Sequence, residues 1–361
     1  MERRVYLAAT GVFAISLALL GFILLNKPDS NNELRSVFPA VLPTTGPSIV
    51  PTQKPLPPTH ILPQAAQMFQ TFNNCGPATL GMILSRYNIN ISQQQLADDL
   101  RPNNNPQGIE DDKSVTFPEL AAYARQQGLV AYHRPNGSIE KLKQLIAADI
   151  AVATRTWLNP GEDIGHYRVV RGYDDTTQEI IQDDSYHGPN LRYSYTSFNE
   201  MWRPFNYEYL IIAPKEKEDE IRSILGDEVD EKTAWSNALK NAESRNDTYS
   251  VFNQAIASYH LANPKETVRL YEQVASQLPA RMLWYQIEPI DAYRQLGNTG
   301  RVFELSDQIL NSGNRGYSEL YVVRGKALLG EGRNEEARAQ FETALRYHPE
   351  SLEIQNLLNS V

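Results

Sequence analysis

From about Thr233 to the C-terminus the chain settles into one long rhythm that limits what this part can become. Phe252, Tyr259, Val268 and Ala275 in one unit and Tyr293, Val302 and Ile309 in the next stand at equivalent offsets, a period of 34 to 35 residues. A third unit, Ser318 to Ser351, carries Tyr321, Gly325, Leu328, Ala337, Phe341, Ala344 and Pro349. Such a period describes helix pairs, each able to bury its apolar face only against a neighbour, so about three units are the minimum for a stable stack. Residues 233–361 are therefore expected to form an all-α solenoid. The remaining chemistry must be sought upstream.

The upstream part is long enough for another domain, since 361 residues suit two domains of ordinary size. A formal net charge of -9 without a basic stripe argues against a nucleic-acid partner, because phosphate binding draws on clustered Lys and Arg. A single cysteine excludes an intrachain disulfide and a multi-cysteine zinc site, so packed cores must supply the stability.

Val5 to Leu25 is a 21-residue run without a charge, which matches the roughly 20 residues that cross a bilayer's hydrocarbon core. Arg3 and Arg4 precede it, so residues 1–27 are expected to be a cytoplasmic tip and an uncleaved transmembrane helix, with everything after it outside the cytoplasm. A cleaved signal peptide is the competing reading. Residues 28–63 follow as a stalk: Pro39 to Pro63 holds eight prolines in 25 residues with neither helical nor strand period, and is expected not to fold.

Residues 64–214 read as an α+β domain, helices first and an antiparallel sheet after. Ser92 with Gln95, Thr116 with Glu119 and Ser197 with Glu200 have the spacing of capping boxes at helix starts. Strands are expected at Ile150 to Trp157, His166 to Tyr173, Glu179 to Asp183 and Glu208 to Ala213. Residues 215–232, with eight Asp or Glu, four Lys or Arg and little to bury, are expected to be a charged, partly helical connector.

The one thiol stands at a structurally telling place. In Asn73-Asn74-Cys75-Gly76-Pro77-Ala78 the proline suits a first helical turn, and Leu80, Ile83 and Leu84 continue on one helix face. Cys75 is thus expected at a helix N-terminus, where free N–H groups and the helix dipole favour a thiolate; the alternative is a buried, inert thiol. A thiolate nucleophile needs a base, and the base a group that fixes its tautomer. Of the six histidines, His60 falls in the stalk, His260 and His348 in the repeats, and His133 ends a short apolar segment with a surface position expected. His166 and His187 remain. His166 opens a strand, the turn Asp174-Asp175-Thr176-Thr177 follows, and the next strand closes on Asp183-Asp184, so His166 and one of these two carboxylates can meet at the open end of a hairpin. Because adjacent strand residues face opposite ways, only one of the pair can share the face of His166.

Three blocks carry a family resemblance: Gln70 to Ala78 with Asn-Asn-Cys-Gly-Pro-Ala, Gly165-His166-Tyr167 with Gly172-Tyr173-Asp174, and Asp184-Ser185-Tyr186-His187-Gly188. Over about Gln64 to Pro214 the chain resembles papain-fold cysteine peptidases of the bacteriocin-leader-processing branch, family thirty-nine. The resemblance implies a papain-like α+β fold, Cys75 as nucleophile, His166 as general base, Asp184 as orienting carboxylate and Gln70 as oxyanion-hole donor. Two positions depart from the pattern. Gln70 stands five residues before Cys75 rather than six, which opens Asn73 or Asn74 as alternative donors, and Ser185 stands where proline commonly follows the carboxylate. The third repeat unit similarly resembles a tetratricopeptide repeat.

Family members that cut leaders after a double glycine sit at the front of ATP-driven exporters; this chain has no phosphate-binding loop, and leader processing is not implied. The expected function is a membrane-anchored extracytoplasmic cysteine peptidase acting on a peptide or isopeptide bond, without a cofactor or metal, its repeats binding a protein partner. On this reading the repeats from Trp235 onward are separable from the chemistry. The alternatives are an inactive papain-like domain in a binding or scaffolding protein, and a thiol acyltransferase. Acidic pairs at Asp111-Asp112 and Asp174-Asp175 lack calcium-loop spacing and read as solvated turns.

Overall fold

The computed structural model describes residues 55–101, 103, 112, 113 and 115–361. The expected membrane span, the stalk up to Lys54 and Asp111 lie outside the described residues. Among the described residues no helix is long and apolar enough to cross a membrane.

The first half is α+β. Its seven-stranded sheet has the order β2-β7-β3-β4-β5-β6, with β1 paired to β4, and every pairing is antiparallel. The strands are β1 Thr59–Ile61, β2 Val130–Arg134, β3 Val152–Trp157, β4 Gly165–Asp174, β5 Glu179–Asp184, β6 Gly188–Ser194 and β7 Tyr209–Ala213. β3, β4, β5 and β7 fall where the alternation of β-branched and aromatic residues put them. β1 corrects the expectation of a stalk reaching residue 63: Thr59–Ile61 pairs with Gly172–Asp174, and Tyr173 Oη donates to Pro57 O at 2.9 Å. β2 corrects the surface placing of His133, which is half-buried, with Nε2 3.2 Å from Glu208 Oε2.

Among the described residues, five helices complete this half: α1 Cys75–Ser85, α2 Gln93–Leu100, α3 Phe117–Gln126, α4 Ile139–Ala147 and α5 Tyr195–Trp202. Their starts follow side-chain capping. Ser92 Oγ accepts the Gln95 N–H, and Thr116 exchanges bonds with Glu119. α5 begins earlier than expected, because Ser194 rather than Ser197 is the cap and accepts the Ser197 N–H at 3.1 Å. α1 is buried from Cys75 through Leu84, so it is a central helix and not the amphipathic one its Leu80, Ile83 and Leu84 suggested. Small residues permit this: a Cβ on Gly81 would lie 2.5 Å from Met68 Sδ, and one on Gly76 would lie 3.3 Å from Val115 Cβ. Ile83, Leu84, Phe117, Leu142, Val152 and Ile211 are among the residues of the core that α1, α3 and α4 form with the sheet.

The acidic stretch 215–232 is less of a linker than its composition suggests. It contains α6, Glu218–Leu225, whose Ile221 and Leu225 join the same core. The rest is helical: α7 Glu231–Glu243, α8 Thr248–His260, α9 Pro264–Val274, the short α10 Met282–Tyr285, α11 Glu288–Gln295, α12 Thr299–Leu310, α13 Ser318–Gly330, α14 Asn334–Tyr347 and α15 Leu352–Asn359. α8 packs on α9, α11 on α12 and α13 on α14. Within α13, Gly325 lies so close to α14 that a Cβ would meet the Phe341 ring at 2.3 Å. Trp157, Met201 and Phe205 of the α+β half belong to the apolar cluster of the helical half, with Trp235, Phe252, Tyr285 and Ile290, so the two halves share a core, which bears against a helical half separable from the chemistry.

Candidate active site

α1 and the β4–β5 hairpin deliver the groups that the sequence singled out. Cys75 is the first residue of α1, preceded by Asn73 at φ 57° and Asn74 as N-cap. A positive φ at Asn73 turns the chain sharply into the helix, a conformation asparagine tolerates better than most residues. Arg101, at the C-terminal end of α2, holds the approach to the cysteine: Nη1 donates to Asn74 Oδ1 at 2.7 Å, while Nε donates to Lys113 O at 3.1 Å. Lys113 in turn bonds Glu119 at 2.7 Å and Glu319 of α13 at 2.5 Å.

The hairpin register decides between the two aspartates. Asp184 stands opposite Arg168 and Asp183 opposite Val169. Since side chains alternate along β4, His166 and Arg168 share one face, and Asp184 shares it with them. His166 Nε2 lies 3.1 Å from Asp184 Oδ2, which also accepts from Arg168 Nε at 2.5 Å. Asp184 Oδ1 accepts the backbone N–H groups of Tyr186 at 2.5 Å and His187 at 2.7 Å. Asp183 is turned to the other face, where a register shift between Val170 and Gly172 brings Arg171 to it; Arg171 Nε donates to both carboxylate oxygens at 2.9 and 2.8 Å.

With Nε2 on Asp184, the other ring nitrogen of His166 is left for Cys75, and the two groups are near enough to shift each other's proton affinity. All three groups are enclosed: Cys75 is 4% exposed, His166 3% and Asp184 0%. Burial pushes the Cys75 thiol up, but the His166 hydrogen bond and charge, the Tyr167 backbone bond and the charge of Arg101 bring it below its ordinary value. Burial likewise pulls His166 down, and the hydrogen bonds to Asp184 and Cys75 carry it above its ordinary value. Burial would raise Asp184, yet its His166 bond, the His166 and Arg168 charges and the His187 N–H hold it well below the usual carboxylate range. The arrangement favours a thiolate facing an imidazolium.

Gln70 is tied to the end of β5. Its backbone N–H donates to Ser185 O at 2.8 Å, and its Oε1 accepts the Ser185 hydroxyl at 2.8 Å. Asn74, one alternative donor, has its Nδ2 donating to Thr71 Oγ1 at 2.7 Å and its Oδ1 taken by Arg101. The other histidines do not reach the thiol's partner position. His187 is exposed and lies 3.0 Å from Asn159 Oδ1; His60 lies 3.3 Å from Asp149; His260 stacks on Trp235 at 3.9 Å. Asp174 accepts from Thr59 and Thr176 and Asp175 from Lys143 and Tyr195, so both serve the turn and its neighbours.

Several site residues were not singled out by sequence. Arg168 had a signal, being two residues after His166 in a strand and therefore on its face. Ser185 had one too, as a departure from a family pattern. Arg101 and Tyr285 had none. Tyr285 Oη accepts the Gly165 N–H at 2.8 Å, next to His166, although 120 residues separate the two in sequence.

Residues 59–210 match the Peptidase C39 like family. No curated protein matches the chain. Among solved structures, one from Bacillus anthracis assigned as a C39-like peptidase aligns at 16% identity over 44% of this chain and 98% of that one, with a TM-score of 0.37. The peptidase domain of Streptococcus ComA, a bifunctional ABC transporter of a quorum-sensing pathway, aligns at 19% identity over 42% of this chain and 98% of its own, with a TM-score of 0.32. A double glycine motif protease from an AMS/PCAT transporter, in complex with a leader peptide, aligns at 16% identity over 42% and 93%, with a TM-score of 0.32.

Proposed function

We propose that the peptidase C39-like domain over residues 59–210 is a cysteine peptidase that hydrolyses a peptide or isopeptide bond. The observation that carries this reading is the buried His166–Asp184 contact at 3.1 Å, on a histidine that draws the Cys75 thiol down while its own imidazole is drawn up. Cys75 Sγ attacks the carbonyl carbon, and the carbonyl electron pair moves to oxygen. His166 then gives its proton to the leaving amine, the C–N bond breaks, and an acyl thioester remains on Cys75. Water attacks the thioester while His166 takes its proton; the acid leaves and the thiolate–imidazolium pair is restored. Asp184 orients the ring and stabilises its charged form throughout.

Gln70 is the proposed donor to the oxyanion. Ser185 engages its Oε1, which leaves Nε2 as the group to donate, and Asn74 is occupied by Thr71 and Arg101. No step requires a cofactor.

The helical half is read as a tetratricopeptide-type stack that binds a protein partner. Support comes from the three helix pairs and from the Gly325–Phe341 approach, which needs a residue without a side chain. The run Val5 to Leu25 is read as a single-pass anchor with the N-terminus cytoplasmic and both halves outside. Protease treatment of intact cells should remove the domains; Cys75 reactive only after lysis would overturn this topology.

The test of the activity is incubation of the chain from Pro55 onward, and of the full chain in detergent, with peptide and cell-wall-peptide libraries read by mass spectrometry. Cleavage that disappears in both Cys75→Ser and His166→Ala is expected. Cleavage that survives Cys75→Ser would refute the assignment. Added hydroxylamine yielding only hydroxamate, without free acid, would make the domain an acyltransferase instead.

A further inference from the structure

One side chain by which the helical half reaches the site is Tyr285, the last residue of α10. Strand geometry explains why its hydroxyl finds a donor there. Leu158 N–H goes to Ile164 O at 2.7 Å, so the hydrogen-bonded pairs of the β3–β4 ladder fall at that pair and at every second one. Gly165, opposite Trp157, falls between them, and its N–H points away from β3. On that other side β5 has already ended at Asp184, opposite Arg168. Tyr285 Oη, 2.8 Å away, takes the position that a strand carbonyl would otherwise occupy.

The ring is fixed by neighbours from the α+β half. Arg155 Nη2 donates to the Tyr285 carbonyl at 2.8 Å, and its guanidinium lies over the Tyr285 and Tyr167 rings at 5.5 and 5.8 Å. Trp157 meets the ring edge-on at 6.2 Å. A Cβ on residue 165 would come within 2.9 Å of the Tyr285 ring, so glycine is required before His166 by a residue of the helical half. The phenol is also near enough to Cys75 to feel its charge.

We propose that Tyr285 is a positioning residue for the thiol–imidazole pair: it clamps the backbone that carries His166, and the helical half thereby sets the reactivity of Cys75. The ion pair between Lys113 and Glu319 is a second attachment from the same half, independent of the first: Lys113 O accepts from Arg101, which holds Asn74 beside Cys75. The catalytic consequence rests on the cysteine-peptidase reading above; the effect on the thiol does not need a substrate.

Tyr285→Phe removes the oxygen and keeps the ring. The measurement is the rate of Cys75 alkylation by iodoacetamide against pH in the full chain, with melting followed by circular dichroism as the folding control. Relative to wild type, the rate near pH 6 should fall about threefold to tenfold, the scale of one lost hydrogen bond, and the profile should move to higher pH. With a substrate in hand, kcat should fall by a similar factor at unchanged KM. If Tyr285→Phe does not fold, Arg155→Gln, which releases the Tyr285 carbonyl, should give the same displacement of the profile. A low-pH profile in wild type that the folded variant reproduces would overturn the positioning role alone. An ordinary thiol profile in wild type would overturn the peptidase reading and, with it, the pair that Tyr285 is said to position.

Discussion

Asp184→Asn isolates the contribution of one oxygen charge. Four donors converge on this carboxylate: the Tyr186 and His187 N–H groups on Oδ1, and His166 Nε2 with Arg168 Nε on Oδ2. An asparagine that keeps its oxygen toward the two backbone groups must turn its NH₂ toward His166 and Arg168. Both then face a donor. The imidazole can respond only by moving its proton to the nitrogen that should face Cys75, and Arg168, which is 0% exposed, loses its countercharge. Two hydrogen bonds to a charged group are lost, at about 1.5–3 kcal/mol each, so unfolding free energy should fall by roughly 3–6 kcal/mol. Breaking a buried ion pair on one side costs about 3–5 kcal/mol by a separate route, which agrees. The chemical effect is distinct: the wrong tautomer should lower kcat about tenfold to several-thousandfold, the upper end taken from serine triads, and a thiolate needs less help. Urea titration at pH 7 measures the first quantity and turnover of the library-derived peptide the second. A variant that loses stability while keeping wild-type kcat would refute the orienting role and leave Asp184 as a structural anchor for Arg168.

Three further outcomes follow from the same geometry. Asp183→Asn should weaken the fold through its two bonds to buried Arg171, detectable as a lower urea midpoint, while kcat changes little; reversed effects for the two aspartates would mean that the hairpin register differs from Asp184 opposite Arg168. The pH dependence of kcat/KM should be bell-shaped. Its rising limb reflects loss of the Cys75 proton below the usual thiol range, and its falling limb loss of the His166 proton above the usual imidazole range, because the active pair exists only between the two; a rising limb near the ordinary thiol value of about 8.5 would contradict this. Ending the chain before Trp235 should give insoluble protein, since Trp157, Met201 and Phe205 lose the apolar partners they pack against, whereas a soluble, active fragment would refute the shared core.

The parts legible in sequence are those governed by local rules. Pro77 after Cys75 marks the start of α1, and Ser92 and Thr116 mark α2 and α3 through capping. His166 and the Asp183-Asp184 pair were visible as meeting at the open end of a hairpin, but the choice between the two aspartates depended on register, which the shift at Val170/Gly172 alters further along. β6 was not legible because its residues are mostly exposed or half-buried and polar, with little apolar alternation. That α1 is buried on every side was not legible, because Gly76, Thr79 and Gly81 are buried for their small size, which periodicity does not register. Tyr285, Arg101 and Glu319 act across the fold, and no short-range pattern encodes a contact at that separation.

The site holds the only sulfhydryl of the chain. A thiolate with a lowered pKa reacts readily with peroxide, and the first product, a sulfenic acid, is commonly rescued when a neighbouring cysteine condenses with it into a disulfide. No second cysteine exists here to do so. Recovery then depends on a thiol supplied from solution, and an oxidant that outpaces it drives the sulfur to sulfinic acid, from which ordinary reductants do not return it. Enclosure at 4% exposure restricts which oxidants and which rescuing thiols can enter, so the same packing that tunes the nucleophile also sets how long it survives in an oxidising medium.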